Sequence, residues 1–358
     1  MKLSKILSVL MSGTFLSTSA NALDVTSGYL NSLTGSNISW SDSTGTAVQI
    51  GDQTFYYTYT APAGYEETSD RVTNESVVDK LYIGQSRESE STLVSGLVQV
   101  NNSGDNSIEI ISDFVNNTAN SDDFLYSAPV YISPNTNAVA NVDYIRGNFV
   151  GNTGTGKTAV GGAIYIRENA SVGTIEGNYV NNSVISTDGN IHGGAIDNHG
   201  SIGTIRANFI GNYGQATGSI AVGGAINVAN TQGGIEKIEN SNFIGNVAES
   251  TTSYARGGAI YTVGNVEEIV NLNYLNTERV TNMQAMFMYC QKLRSVDLSN
   301  FVTASVSTMR SMFYQCKSIT NLDLTTFDTS NVLDMAMMFR DCTALQSVDL
   351  SSFDTSKC

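Results

Sequence analysis

The sequence is poor in the residues that bind polyanions, span bilayers or break strands. Lysine and arginine together number 18 in 358 residues, against 33 acids. No basic patch stands out, which excludes nucleic acid as an expected partner, because phosphate binding needs clustered positive charge. Charged residues make up only 14% and proline occurs 3 times. The polar surface must therefore come from Asn, Ser and Thr, a composition that suits stacked strands and turns better than helices. Beyond the N-terminus no apolar run is long enough to cross a bilayer as a helix. What is present is a 41% hydrophobic content, enough to build a core.

The N-terminus reads as Lys2 and Lys5, an apolar run over residues 6–16, and the small-residue site Ala20-Asn21-Ala22. That order predicts a signal peptide over residues 1–22, cleaved between Ala22 and Leu23. The mature chain then carries 16 basic and 33 acidic residues, net −17. The expected location is outside the cell or on its surface, associated with an outer membrane if an anchoring segment is missing from this chain.

Internal repetition is the strongest signal. Gly161-Gly162-Ala163-Ile164 recurs as Gly193-Gly194-Ala195-Ile196, Gly223-Gly224-Ala225-Ile226 and Gly257-Gly258-Ala259-Ile260, at steps of 32, 30 and 34 residues. In phase with it runs an aromatic-x-x-Asn element: Phe114 with Asn117, Phe149 with Asn152, Tyr179 with Asn182, Phe209 with Asn212, and Phe243 with Asn246. Ile110, Ile145, Ile175, Ile205 and Ile238 precede these aromatics. One such unit cannot bury its apolar side, but coils stacked at about 4.8 Å can, placing like residues in ladders. The Asn side chains are then expected to hydrogen-bond up the stack. The Gly pair marks a corner of positive φ or close backbone approach, and Ala-Ile starts an inward strand. The Asn-to-Gly spacing is 9, 11, 11 and 11 residues, whereas the Gly pair to the Asn before the next aromatic is 17, 15 and 19, so one side of the coil is nearly fixed and the other varies. These repeats resemble those of polymorphic outer-membrane protein autotransporters over about residues 108–276. The resemblance implies a right-handed parallel β-helix acting as a surface adhesin. The chain departs from the family in having no C-terminal β-barrel, so self-export is not implied.

From Val280 the period becomes 26, with units opening at Val280, Val306 and Val332. Met283, Met286, Phe287, Cys290 and Leu293 fall at i, i+3, i+4, i+7 and i+10, which predicts one face of a helix feeding a short strand. The units resemble the BspA-type leucine-rich surface repeat in their Met-Phe-x-x-Cys, Leu-Asp-Leu-Ser and Phe-Asp-Thr-Ser elements, which implies a short α/β leucine-rich solenoid and a role in adhesion. Cys290, Cys316 and Cys342 stack at one position and are expected to pack as small buried thiols. Cys358 stands where a fourth unit would open, with no capping unit after it, so truncation of the natural chain is expected. The domains expected are thus 1–22, an N-terminal β-rich cap or irregular first coils over 23–107, parallel β-helix over 108–279, and leucine-rich repeats over 280–358.

Catalysis and cofactors find little support. Residues 151–158 match the P-loop pattern, but the P-loop needs a following helix to aim N–H groups at phosphate, and here a strand is expected. Asp188 and Asp197 lie near His192 and His199, the only 2 histidines, and would be the pair to test for a polysaccharide lyase or hydrolase. Asp197 shares its position with Tyr165, Asn227 and Tyr261, so it reads as an outward, solvated residue on a variable surface. The expectation is a non-enzymatic protein with no cofactor and no metal, binding a protein or glycan on host or neighbouring cells. Alternatives are the polysaccharide enzyme and a passenger fragment with no independent function.

Overall fold

A computed structural model describes residues 25–358 except 51–52, 63–66, 90–92, 95, 104–106, 127–128, 137, 230–233, 254, 258, 263–264, 271–273, 276–281, 292, 297 and 300. The segment predicted to be a signal peptide, its predicted cleavage site at Ala22 and Leu23, and Gly258 therefore lie outside the described residues. The fold is a parallel β-solenoid. Each coil contributes a strand to four faces, for example Ala170–Val180, Ser183–Ser186, Ile191–His192 and Ile196–Asn198. Every strand of the coil pairs in parallel with its equivalent one coil on, as Val180 does with Ile210 and Ile196 with Ile226.

The predicted ladders form the interior. Ile110, Ile145, Ile175, Ile205, Ile238 and Ile269 pair in register. Beside them the rings of Tyr82, Phe114, Phe149, Tyr179, Phe209 and Phe243 stack at 4.8–5.0 Å between centroids. Ile238 stands one residue further from its aromatic than its equivalents. The extra residue is absorbed at Asn240, which takes φ 50° and divides the long strand into Gly234–Glu239 and Asn242–Ile244.

The solenoid begins a coil earlier than residue 108. Val72–Thr73, Val77–Val78, Leu81–Ile83 and Ser86–Ser89 already pair with the next coil. Tyr82 heads the ring ladder there, but Gln85 stands where later coils have Asn and no Gly-Gly-Ala-Ile follows, so this is an irregular first coil, one of the two readings the sequence allows for residues 23–107.

Residues 25–60 form neither a cap nor a coil. The helix Ser27–Thr34, N-capped by Thr26, and an antiparallel sheet of Ile38–Ser41, Thr46–Ile50 and Gln53–Tyr59 lie along the outside of the stack. They bury the outward residue after each aromatic, Val115, Val150, Val180, Ile210 and Ile244, beneath Leu30, Ile38, Trp40, Val48, Ile50 and Phe55. Asn178 and Asn208 donate from successive coils to the carbonyls of Thr34 and Leu33 at 3.1 and 2.9 Å. This unit clamps coils together along the axis.

The helix expected from Met283 to Leu293 does not form. Ala285 and Tyr289 take φ 60° and 63°, and alternate N–H groups leave the segment: Met283, Ala285, Phe287 and Tyr289 donate to the carbonyls of Thr308, Arg310, Met312 and Tyr314 at 2.9–3.0 Å. The i, i+3, i+4, i+7 spacing instead records tight turns that close every four residues and send Met283, Met286, Phe287 and Cys290 inward, all fully buried. Left-handed non-glycine residues cost about 1 kcal/mol or more each. The bonds between repeats, made at every other residue, offset that cost. Stacked Phe287, Phe313 and Phe339 continue the hydrophobic core of the coils into these units. Among the described residues no helix is long and apolar enough to cross a membrane.

Two residues in the ring ladder, Tyr82 and Tyr179, are suboptimal, each burying a hydroxyl without a hydrogen-bond partner. Tyr179 is fully buried and its hydroxyl has no hydrogen-bond partner. Burying a hydroxyl unpaired costs on the order of 1–3 kcal/mol. Tyr179→Phe is therefore expected to stabilise the fold by about 1 kcal/mol, read as a higher midpoint in urea unfolding, and an unchanged or lower midpoint would contradict the packing described.

Candidate functional site

The Gly pairs create a re-entrant corner. Gly161, Gly193, Gly223 and Gly257 take φ 60–66°, turning the chain sharply between the third and fourth faces. At the second position a Cβ on Gly162 would strike the carbonyl of Gly194, and one on Gly194 that of Gly224. The outward residues on the two sides of this corner consequently face each other. They are Tyr126 and Tyr131 in one coil, Val160 and Tyr165 in the next, then His192 and Asp197, then Val222 and Asn227. Tyr126 lies 5.6 Å from Tyr131 and 5.1 Å from Tyr165 between ring centroids. Val222 and Tyr261 pack with Ala285 and Met288 of the 26-residue repeats, which bound the groove at that end.

Asp197 sits in the middle of this groove. The sequence places it outward, and it is outward in register, but the re-entrant corner leaves it 0% exposed, so the solvated-surface expectation is overturned. Asn227 of the next coil donates to its Oδ1 at 2.7 Å. Its Oδ2 lies 3.2 Å from His199 Nε2 and 3.9 Å from His192 Nδ1. The ring of Tyr165 meets His199 edge-on at 5.6 Å. Asp188, the other carboxylate considered, lies in the exposed turn between Ser183–Ser186 and Ile191–His192. The arrangement thus offers one buried carboxylate with two imidazoles, not a pair of opposed carboxylates. A site built from both histidines was legible in principle, since they stand five residues before and two after Asp197.

The group is electrostatically coupled. Burial pushes Asp197 up, but the hydrogen bond from His199, the positive charge of His192 and His199, and the Asn227 amide outweigh it and hold the carboxyl below the usual range. Burial pushes His199 down, and the hydrogen bond and charge of Asp197, with the charge of Glu168, outweigh it and raise the imidazole. The carboxylate's stabilising effect is complete above the ordinary Asp value of about 3.9 and is lost as pH falls through its lower native value. That of His199 is complete below about 6.5 and is lost as pH rises through its higher native value. The stability gap between wild type and Asp197→Asn, measured by urea unfolding with chelator present, is therefore expected to be widest between about pH 4 and 6.5. A gap constant from pH 3 to 9 would contradict this coupling.

The remaining predicted residues are structural. Asn117, Asn152, Asn182, Asn212 and Asn246 are buried; each of the first four donates its amide to the next coil's Asn at 2.8–3.0 Å, and Asn246 donates to the Phe209 carbonyl at 2.8 Å. Ala163, Ala195, Ala225, Ala259 and Ile164, Ile196, Ile226, Ile260 are core. The P-loop-like residues run into Thr153–Gly156 and Thr158–Val160 on two faces, with no helix to receive a phosphate. Cys290, Cys316 and Cys342 are free thiols, and Cys316 and Cys342 donate to the carbonyls of Phe287 and Phe313 at 3.1 and 2.9 Å. Burial pushes Cys342 up to about 11.

Fold and site together define a parallel β-solenoid repeat protein with a polar cluster set among tyrosines at a re-entrant corner. Residues 260–358, the last coil and the 26-residue units, match the family model described as a Mycoplasma protein of unknown function, DUF285. No curated protein and no solved structure matches the chain.

Proposed function

We propose that the protein is exported and acts at the cell surface as an adhesin-like, non-catalytic binding protein, engaging a host or neighbouring-cell protein or glycan through the groove at its glycine corner. One observation carries this reading. Along the fourth face Val130, Ile164, Ile196, Ile226 and Ile260 hold one inward position in register, while the residue directly after each runs Tyr131, Tyr165, Asp197, Asn227, Tyr261. These five residues are 0–8% exposed and form the floor of the corner, and the partly exposed Tyr126, His192 and His199 form its rim. A frame that keeps its interior constant while varying this corner supports a specific recognition surface, and rigid solenoids offer such surfaces over a long span. Aromatic rings with a few fixed polar groups are the chemistry of recognition sites. The resemblance of the coils to autotransporter passengers and of the 26-residue units to BspA-type repeats supports the same surface role.

Saturable binding of the labelled chain to intact host-derived cells is the expected result, abolished by protease treatment of the cells if the ligand is protein and by periodate oxidation if it is glycan. Absence of saturable binding to any such surface, or release of new reducing ends from polysaccharides in an Asp197-dependent manner, would overturn the proposal.

A further inference from the structure

We infer that His192, Asp197 and His199 form a binding site for one divalent transition-metal cation of the zinc class. The ligating atoms of the three side chains lie within 4.8 Å of one another. Nitrogen and oxygen donors about 2.0–2.1 Å from a tetrahedral Zn²⁺ stand about 3.3 Å apart. The 3.2 Å from His199 to Asp197 already meets that spacing, and the His192 side closes by a rotamer adjustment of an imidazole whose side chain is 29% exposed.

The surroundings also suit a cation. Asp197 presents a single oxygen to the imidazoles because Asn227 holds the other, which fixes the carboxylate as a monodentate ligand. That partner on the first oxygen is the kind of supporting bond that orients metal ligands. The Oδ1 of Asn227, on the same terminal carbon as the amide nitrogen that grips Asp197, is buried and has no hydrogen-bond partner. Two imidazoles and one carboxylate favour zinc, nickel or copper over calcium and magnesium, which take six or more oxygens. The three residues occur together in one coil only: the equivalents of His192, Asp197 and His199 are Val160, Tyr165 and Arg167 one coil before and Val222, Asn227 and Ala229 one coil after. Both histidines of the 358-residue chain are thereby committed to one buried carboxylate. Three protein ligands leave a coordination position on the solvent side of the groove, where the side chains of His192 and His199 are 29% and 23% exposed.

Titration of the purified full chain with Co²⁺ and then competition by Zn²⁺ tests the assignment independently of what the groove binds. Expected is one Co²⁺ per chain, with ligand-field absorption of a nitrogen and oxygen site and no thiolate-to-cobalt charge-transfer band, displaced by Zn²⁺. His199→Ala is expected to weaken binding at least about 100-fold. His192→Ala, at the more exposed imidazole, should do the same with an unchanged circular dichroism spectrum, so a folding failure in the first variant does not obscure the result. No Co²⁺ uptake, full uptake in the His192→Ala/His199→Ala chain, or a charge-transfer band that vanishes on Cys358→Ser would each overturn the site.

Discussion

Asn182→Ala is expected to destabilise the protein by about 4 kcal/mol or more, a large share of the stability of an ordinary domain. The Asn182 amide is fully buried and all of its capacity is used. Its Nδ2 donates to Asn212 Oδ1 at 3.0 Å and to the Phe149 carbonyl at 2.8 Å. Its Oδ1 accepts from the backbone N–H and the Nδ2 of Asn152 at 3.2 and 2.8 Å. Alanine strands those two donors and the Phe149 carbonyl in the interior, and each unpaired group costs about 1–3 kcal/mol before any cavity is counted. Asn120→Ala, at an exposed position of a neighbouring face, is the control and should stay within about 0.5 kcal/mol of wild type. Equal effects of the two substitutions in urea unfolding would show that the ladder is not a cooperative network.

Gly194→Ala is the second large effect, expected at about 3 kcal/mol or more. Its Cβ would be driven into the carbonyl of Gly224 in the next coil, and it would crowd the Tyr213 nitrogen at 3.0 Å. The nearest contact is backbone, so the coils themselves must separate, weakening the hydrogen bond from Gly194 N to the Gly223 carbonyl at 2.9 Å. Gly28→Ala is the matched control. Gly28 lies in the helix Ser27–Thr34, where a Cβ meets nothing closer than Thr26 Oγ1 at 3.7 Å, and alanine there should be neutral or stabilising by less than about 1 kcal/mol. A mild Gly194→Ala phenotype would mean that the corner does not need close approach.

The coils were legible because their ladders demand identical residues at identical heights: Asn must meet Asn, and a flat ring stacks best on a flat ring. Features made by single residues were hidden. The first coil was legible only as one of two readings of residues 23–107, an irregular coil or a cap, because Tyr82 and Gln85 satisfy the stack without matching its commonest letters. The clamp of residues 25–60 left no periodic trace, although the outward Val or Ile after every aromatic is its docking strip. In the 26-residue units the apolar spacing is shared by a helix and by four-residue turns. Only the positive φ at Ala285, Tyr289, Ser311, Gln315, Met337 and Asp341 separates the two, and none of these is glycine, so composition gave no warning. The same logic misplaced Asp197. Alternation along Ile196–Asn198 fixes that its side chain points out of the coil, but whether outward means solvent depends on the angle at Gly193 and Gly194. The two histidines were the available clue.

The central claim is that repeated residues form the frame and the unrepeated ones in the groove form the site. The most direct test is cell binding by wild type and by a Tyr126→Ala/His192→Ala chain, measured beside their unfolding midpoints. The account predicts loss of saturable binding with a midpoint close to wild type, because Tyr126 and His192 are only partly buried and belong to no ladder. Undiminished binding by the doubly substituted, folded chain would contradict it.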